Sequence, residues 1–150
     1  MRYKFPDPED SGSLAHLFQD TTEKFSERPF LYFEDEMWTY GHTNKAANSM
    51  ARYLVSTGVK HGDRVILFME NRPSFLISLL ALNKIGAIAV LINTSLTGDP
   101  LIHCINSSDA VKCIVGAERA SPLEDVLNQI NITKQEDFLW AQDTAQYSLP

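Results

Sequence analysis

The stretch LNKIGAIAVLINTSLTGDPLIHCINSSDAVKCIVG, residues 82–116, decides the fold of this chain. It contains two short apolar runs, residues 87–92 and 111–115, and each run leads into a polar turn. Neither run alternates with polar residues, which predicts strands buried on both faces, as in a parallel sheet. Residues 99–107 between them have the apolar spacing of a short helix, with Pro100 in its first turn. A strand, helix, strand unit of this kind indicates an α/β fold.

The same pattern extends on both sides of this stretch. A third apolar run, residues 65–69, precedes it, and residues 73–85 between the runs predict an inner helix that begins at a proline. The three strands start about 23 residues apart, which is the size that a right-handed βαβαβ unit needs. A last helix near residues 117–130 and a strand near residues 138–141 are predicted to complete the sheet.

A helix, a hairpin and a second helix are predicted before the sheet. Ser13 is a suitable N-cap for a helix that ends near Ser26. Its predicted apolar side consists of Leu14, Leu17, Phe18, Thr21 and Phe25. Residues 30–33 and 37–40 are aromatic-rich and predict a hairpin whose turn holds three acidic residues. Residues 43–57 then predict a helix that Gly58 ends.

Length and charge limit the domain count and the partners. The 150 residues fit one domain, with a tail at 1–13, a helix, hairpin and helix at 14–58, and a parallel βα unit at 59–150. The net charge is −6 and the 13 Lys and Arg are scattered, which disfavours nucleic acid as a partner.

Cys104 and Cys113 lie in apolar surroundings, where a thiol usually packs as a small hydrophobic group and does not form a disulfide. A reducing compartment is therefore expected. The first residues do not form a secretory signal, so a cytoplasmic location is expected.

Several kinds of catalytic site are missing from the sequence. It contains neither of the glycine-rich phosphate loops, G-x-G-x-x-G and G-x-x-x-x-G-K-[ST], and no G-x-S-x-G nucleophile turn. Its histidines stand on separate predicted elements without metal-ligand spacing; they are His16, His42, His61 and His103. The residues therefore predict half of a ligand-binding fold without its catalytic parts.

Three motifs resemble the opening third of AMP-forming acyl-CoA synthetases, within the adenylate-forming superfamily. They are W-T-Y-x-x-x-x-x-x-A-N-x-x-A at 38–51, G-V-x-x-G-D-x-V at 58–65 and L-N-K-I-G-A at 82–87. The stretches L-I-N-T at 91–94, L-I-H-C at 101–104 and D-A-V-K-C-I-V at 109–115 are most similar to the branch of fatty-acid transport and very-long-chain synthetases. The likeness runs from about residue 14 to residue 130.

The resemblance implies a partial N-terminal domain of the adenylate-forming enzyme fold. Such enzymes join a carboxylate to ATP as an acyl-adenylate and then transfer the acyl group to coenzyme A, so the parent enzyme would use a fatty acid, ATP, Mg²⁺ and coenzyme A. The family's phosphate loop, adenine motif, magnesium ligand and catalytic lysine all lie after the part that this chain resembles. No cofactor is therefore expected to bind this chain alone, and it is expected to be inactive.

Two places are candidates for ligand contact. The turn after the second strand, at Asn93 and Thr94, follows a buried strand, where open α/β sheets bind ligands. The same turn can equally be a helix N-cap arrangement made by Thr97 or Asp99. The pattern R-x-x-P-L at 119–123 resembles a site in acetyl-CoA-type relatives, which implies that Arg119 contacts a phosphate of coenzyme A. The alternative is a solvent-facing helical arginine.

The role of the chain is left with two alternatives. It is the N-terminal piece of an acyl-CoA synthetase, or it is a stand-alone acyl- or CoA-binding or assembly module, including half of a split ligase. If the chain is the N-terminal piece of a synthetase, apolar surface that packs against the rest of the enzyme is exposed in the isolated chain. Self-association of the isolated chain is then expected. Relatives in the transport branch also allow peripheral membrane contact of the parent enzyme.

Overall fold

A computed structural model describes residues 12–132 and 134–141 of the chain. The helices and longer strands, in chain order, are α1 (Leu14–Phe25), β1 (Pro29–Phe33), β2 (Glu36–Thr39), α2 (Tyr40–Ser56), β3 (Arg64–Phe68), α3 (Pro73–Lys84), β4 (Ile88–Leu91), α4 (Gly98–Ser107), β5 (Lys112–Gly116), α5 (Ala120–Glu124) and β6 (Phe138–Ala141). Strands β1 and β2 form an antiparallel hairpin, and the other four strands form a parallel sheet in the order β4-β3-β5-β6. The predicted α/β fold is confirmed.

The central strand β3 divides the core into two layers. Val65 and Leu67 point to the side covered by α2 and α3, where they join one apolar cluster with Leu54 and Leu82. Ile66 and Phe68 point to the opposite side, where a second cluster contains Leu101 of α4, Val115 of β5 and Leu123 of α5. Both faces of β3 are therefore buried, which is why its run contains no polar residue.

Strand β4 differs from the prediction that all three apolar runs are buried on both faces. Ile88 is 49% exposed and Leu91 is 56% exposed. The reason is position, because β4 is the first strand in the sheet order and pairs only with β3 among the described residues. An apolar run identifies a strand of a parallel sheet, but it does not tell whether the strand is central or at the edge.

The buried face of α1 is also different from the predicted one. Ala15, Phe18 and Thr22 are buried, whereas Leu14, Leu17 and Phe25 of the predicted apolar side are exposed. Helix α1 is held through Phe18, whose ring lies 4.9 Å from the Phe30 ring and 5.6 Å from the Tyr40 ring. With this face against α2 and the hairpin, only Phe18 of the predicted apolar side is buried. The N-cap prediction is confirmed, since the Ser13 hydroxyl accepts a bond from the His16 N–H.

The segment predicted as one helix over residues 117–130 is broken into three parts. It consists of a 3₁₀ turn at Ala117–Arg119, the short helix α5 and a second 3₁₀ turn at Leu127–Gln129. Pro122 has no N–H to donate to the carbonyl four residues earlier, which interrupts the helical ladder at the start of α5. Two smaller differences are that Glu36 belongs to β2 and that α2 begins at Tyr40, with the Thr39 hydroxyl as its cap.

The long, mostly apolar run at residues 75–92 is divided between helix α3 and strand β4. Helix α3 is the most apolar helix, yet it has only 12 residues. None of the helices within residues 12–132 and 134–141 is both long enough and apolar enough to cross a bilayer.

The turn between α3 and β4 requires glycine at residue 86. Gly86 has a φ of +72°, and its carbonyl accepts a hydrogen bond from the Gly62 N–H at 2.9 Å. A Cβ at this position would lie 2.3 Å from the His61 ring. Gly58 has a similar backbone, with a φ of +93°, but nothing lies within 4 Å of its added Cβ.

We expect Gly58→Ala to lower the free energy of unfolding by about 1 kcal/mol, from backbone strain alone. Gly86→Ala should cost about 2 kcal/mol, because the same strain is combined with the contact to His61. Urea denaturation of the two variants and of Gly86→Ala/His61→Ala measures both effects. The steric contact between the added Cβ and the His61 ring would be contradicted if both single variants lost the same free energy of unfolding. It would also be contradicted if the double variant were no more stable than Gly86→Ala.

Candidate functional site at the carboxyl edge of the sheet

The loops that follow β3, β4 and β5 meet at one edge of the sheet because the three strands are parallel. Glu70 and Arg72 follow β3, Thr94 follows β4, and Glu118 and Arg119 follow β5. These five residues are linked to one another, and we call them the carboxyl-edge clamp.

Arg119 connects all three loops. Its Nη1 donates a hydrogen bond to the Thr94 carbonyl oxygen at 3.1 Å, and its Nη2 forms an ion pair with the Glu70 carboxylate. The side chain is 26% exposed, so the guanidinium lies against the protein surface and not free in solvent. Its Nε is buried and has no hydrogen-bond partner in the part of the chain that the structure describes.

Glu118 makes the second half of the clamp. Its Oε2 lies 2.6 Å from Arg72 Nη2, and its Oε1 accepts a hydrogen bond of 2.8 Å from the Glu70 N–H. The side chains of Arg72 and Glu118 are only 12% and 21% exposed, so this ion pair is shielded from solvent. Gly116 leaves the space for it, because a Cβ there would lie 2.2 Å from Glu118 Oε1.

The structure places the predicted site residues as follows. Thr94 and Arg119 are brought together, although Thr94 contributes its main-chain carbonyl to this contact. Asn93 is exposed, and its Oδ1 accepts a bond of 2.9 Å from the Ser95 N–H, which shapes the turn. Thr97 occupies the N-cap position of α4 without a side-chain cap bond, and Asp99 lies in the first turn of α4. The ligand contacts of Asn93, Thr94 and Arg119 stay predictions.

Sequence reasoning missed Glu70, Arg72 and Glu118. A signal was present, because each of two neighbouring strand ends is followed by an acidic and a basic residue within four positions. Glu70 and Arg72 have this arrangement after β3, and Glu118 and Arg119 have it after β5. Opposite charges at adjacent ends of a parallel sheet are close enough to pair.

The clamp is better suited to holding the three loops in position than to taking part in covalent chemistry. It contains two carboxylates and two guanidiniums, so its formal charges balance, and its members are fixed by bonds to one another. An anionic ligand that binds Arg119 would have to compete with the Glu70 carboxylate. Across the described ranges, His, Cys, Asp and Glu side chains are nowhere grouped in threes that could hold a metal ion.

A cavity of about 640 Å³ lies at the opposite, amino edge of the sheet. Lys112 points into it and forms an ion pair of 2.7 Å with Asp137, and the Asp63 carboxylate accepts a bond of 2.8 Å from the Lys60 N–H. The other lining residues are Thr57, Gly58, Val111, Lys134 and Glu136. Its lining has three lysines and three carboxylates, and this balance gives it no preference for an anion or a cation.

The two cysteines differ sharply in environment. Cys113 lies in β5 and is 1% exposed, and burial raises the pKa of its thiol far above the ordinary range. Cys104 lies in α4 and is partly exposed. A thiol reagent reacts with the thiolate and needs access to the sulfur. Maleimide is therefore expected to label Cys104 in the folded chain and to label Cys113 only after unfolding.

The raised pKa of Cys113 also predicts a pH dependence of stability. Above about pH 8.5, the unfolded chain loses a thiol proton that the folded chain keeps, so stability falls by about 1.4 kcal/mol per pH unit from this group. Below that pH both states hold the proton and the group contributes no slope. Urea denaturation between pH 8 and pH 10 measures this, with Cys113→Ala as the control. An unchanged slope in Cys113→Ala would contradict the assignment.

Comparison with known proteins gives the family. The model of the family described as "AMP-binding enzyme" matches residues 18–148. The chain belongs to this AMP-binding family.

Among similar proteins, the medium/long-chain-fatty-acid–CoA ligase FadD6 of Mycobacterium tuberculosis is 34% identical over 118 residues. That match covers 79% of this chain and 20% of FadD6. The mouse long-chain fatty acid transport protein 6 is 32% identical, over 77% of this chain and 19% of its own length. The chain thus spans about a fifth of the length of these two relatives.

Solved structures agree with the fold. The fatty acyl CoA synthetase of Mycobacterium tuberculosis superposes with a TM-score of 0.76 at 28% identity, covering 86% of this chain and 26% of that protein. The anthranilate CoA ligase AuaEII, solved in complex with anthranoyl-AMP, gives a TM-score of 0.80 over 87% of this chain and 25% of its own. At 22% identity, AuaEII supports the fold alone.

Proposed function

We propose that this chain is the N-terminal part of a fatty-acid–CoA ligase. The match of the AMP-binding family over residues 18–148 supports this most directly, together with relatives named as fatty-acid ligases. In the reaction, the fatty-acid carboxylate attacks the α-phosphate of ATP and releases pyrophosphate, which forms an acyl-adenylate. The thiol of coenzyme A then attacks the acyl carbon, and AMP leaves as the thioester forms. Magnesium would accompany the ATP in the whole enzyme.

This chain contributes a scaffold that helps to bind the substrate. It does not contribute the residues that carry out adenylate or thioester formation. It is a single partial domain in which the clamp holds three loops at the ligand-binding edge of a parallel sheet. The turn at Asn93 and Thr94 is proposed to contact substrate from this edge. Because the phosphate-loop and catalytic-lysine motifs lie in other parts of the family's proteins, the chain alone is proposed to be inactive. A cytoplasmic location and peripheral membrane contact of the whole enzyme stay predictions.

The proposal is tested by replacing the region of FadD6 that this chain matches with residues 1–150 of this chain, which gives a single-chain graft. The graft should form AMP from ATP when palmitate and coenzyme A are present. A graft that folds but forms no AMP, alongside active FadD6, would contradict the proposal. Tight binding of coenzyme A by the chain alone would favour a stand-alone binding module.

Arg119 is proposed to contact a phosphate of coenzyme A. Its guanidinium would then leave the Glu70 carboxylate and pair with the phosphate instead. In the active graft, Arg119→Met should raise the KM for coenzyme A about tenfold, because a charge-assisted contact is lost. Glu70→Gln breaks the same ion pair but keeps the guanidinium, so it should leave that KM unchanged or lower it. Equal increases in both variants would mean that Arg119 acts only through the clamp.

A further inference from the structure

The side chain of Arg119 spans the end of the central strand. Because β3 lies between β4 and β5 in the sheet, an arginine that follows β5 must cross the end of β3 to contact the turn after β4. Arg119 makes this crossing, since its Nη1 donates to the Thr94 carbonyl and its Nη2 pairs with the Glu70 carboxylate that follows β3. One guanidinium therefore links the turn that is proposed to contact substrate with the end of β3.

The turn at residues 93–97 has its own internal hydrogen bonds. Asn93 Oδ1 accepts a bond of 2.9 Å from the Ser95 N–H, and the Asn93 carbonyl accepts one of 3.1 Å from the Leu96 N–H. These bonds set the shape of the turn. The bond of 3.1 Å between Arg119 and the Thr94 carbonyl attaches the turn to the loops after β3 and β5.

The clamp has a fixed half and a half that can exchange partners. The side chains of Arg72 and Glu118 are 12% and 21% exposed, whereas those of Arg119 and Glu70 are 26% and 45% exposed. An ion pair that solvent reaches is weaker than a shielded one, so the contact between Arg119 and Glu70 is the one that can be exchanged. The Glu70 N–H bonds to Glu118 Oε1 at 2.8 Å, so the loops after β3 and β5 stay joined when the Glu70 carboxylate is released.

Arg119 cannot hold the turn and bind an external phosphate from the same position. The guanidinium is one rigid plane, so a movement that takes Nη2 from Glu70 to a phosphate also takes Nη1 away from the Thr94 carbonyl. The Nε is buried, so the present position does not offer a phosphate the two-nitrogen edge formed by Nε and Nη2. The two positions of Arg119 therefore exclude each other.

We propose that Arg119 is a conformational switch that makes the binding of fatty acid and the binding of coenzyme A antagonistic. The inference rests on the proposed function, in which the turn contacts the fatty acid and Arg119 contacts a phosphate of coenzyme A. With Arg119 on Glu70 and Thr94, the turn is held for the fatty acid. With Arg119 on the phosphate, the turn is released. Coupling between two ligands is reciprocal, so each ligand weakens the binding of the other by the same factor.

The Glu70 carboxylate sets the balance between the two positions of Arg119. Glu70→Gln removes the charge that holds the guanidinium at the edge, so coenzyme A should bind more tightly and the fatty acid more weakly. Arg119→Met removes both positions, and both ligands should then bind more weakly. A general loss of structure does not change the two affinities in opposite directions, so Glu70→Gln separates the switch from a purely structural role.

Calorimetry on the FadD6 graft without ATP measures this balance, because no acyl-adenylate forms. Saturating palmitate should raise the Kd of coenzyme A about threefold, which is the size expected for an exposed ion pair. In the Glu70→Gln graft, the Kd of coenzyme A should fall and the Kd of palmitate should rise, each about threefold. The effect of palmitate on the binding of coenzyme A should be lost in this variant.

The proposal would be overturned if palmitate left the Kd of coenzyme A unchanged, or if Glu70→Gln moved both Kd values in the same direction. A folded graft that binds neither ligand would overturn it as well. A graft that shows the antagonism but forms no AMP when ATP is added would instead count against the proposed function alone.

The 150-residue chain itself allows a second measurement, by NMR of amide exchange with water. In Glu70→Gln, the Ser95 and Leu96 amides should exchange about threefold faster, because the turn is attached less firmly. The Ala110 amide, which bonds to a side chain in the loop before β5, should not change. Glu124→Gln removes the same charge at an exposed carboxylate and should leave all three amides unchanged. Unchanged exchange at both turn amides in Glu70→Gln would overturn the proposal.

Discussion

Replacement of Phe68 by alanine is expected to lower the free energy of unfolding by about 3–5 kcal/mol. Phe68 ends the central strand β3, has no exposed surface and packs in the cluster that joins β3 to α4, β5 and α5. Its removal takes a large apolar surface out of the core and leaves a cavity that the surrounding β-sheet cannot close.

Urea denaturation followed by circular dichroism measures this loss. Tyr32→Ala is the matched control, because this aromatic side chain of the hairpin is 71% exposed and its loss should cost less than about 0.5 kcal/mol. A cost below about 1 kcal/mol for Phe68→Ala would show that β3 is not the centre of the core.

Glu118→Ala is expected to cost about 2–4 kcal/mol, the second largest effect. The substitution takes the carboxylate away from the shielded Arg72 guanidinium and removes the acceptor of the Glu70 N–H. Glu118→Gln should cost less, because the amide oxygen still accepts that main-chain bond while the charge is lost.

A double-mutant cycle separates the ion pair from the remaining effects. In the Glu118→Ala background, Arg72→Met should cost less than it does alone, because the buried charge is removed together with its partner. Glu124→Ala, at an exposed carboxylate in the same segment, is the control and should have little effect. If Glu118→Ala is no more costly than Glu124→Ala, the clamp does not hold the loops.

The strands of the parallel sheet were predictable from sequence to within one residue because their runs are mostly apolar. The one polar side chain in the run of β5, Lys112, is buried and forms an ion pair with Asp137. The run at residues 65–69 corresponds to β3 at Arg64–Phe68, and the run at 111–115 corresponds to β5 at Lys112–Gly116. The order of the strands in the sheet is a property of the whole chain, and therefore the exposure of β4 could not be inferred from its own residues.

The buried face of α1 and the clamp were missed for a related reason. Leu14 and Leu17 have the spacing of a core-facing stripe, but which stripe is covered depends on where Phe30 and Tyr40 place Phe18. In the clamp, Glu70 contacts residues 48 and 49 positions away in sequence, so no local pattern pairs them. The resemblance pointed to Arg119 from its neighbours Pro122 and Leu123, without its acidic partner.

The most direct measurement compares AMP formation from ATP and palmitate by the isolated 150-residue chain and by the FadD6 graft that contains it. With coenzyme A present, the graft should form AMP in a palmitate-dependent way, and the isolated chain should form none above a blank without protein. Palmitate-dependent AMP formation by the isolated chain would contradict its role as a non-catalytic N-terminal scaffold.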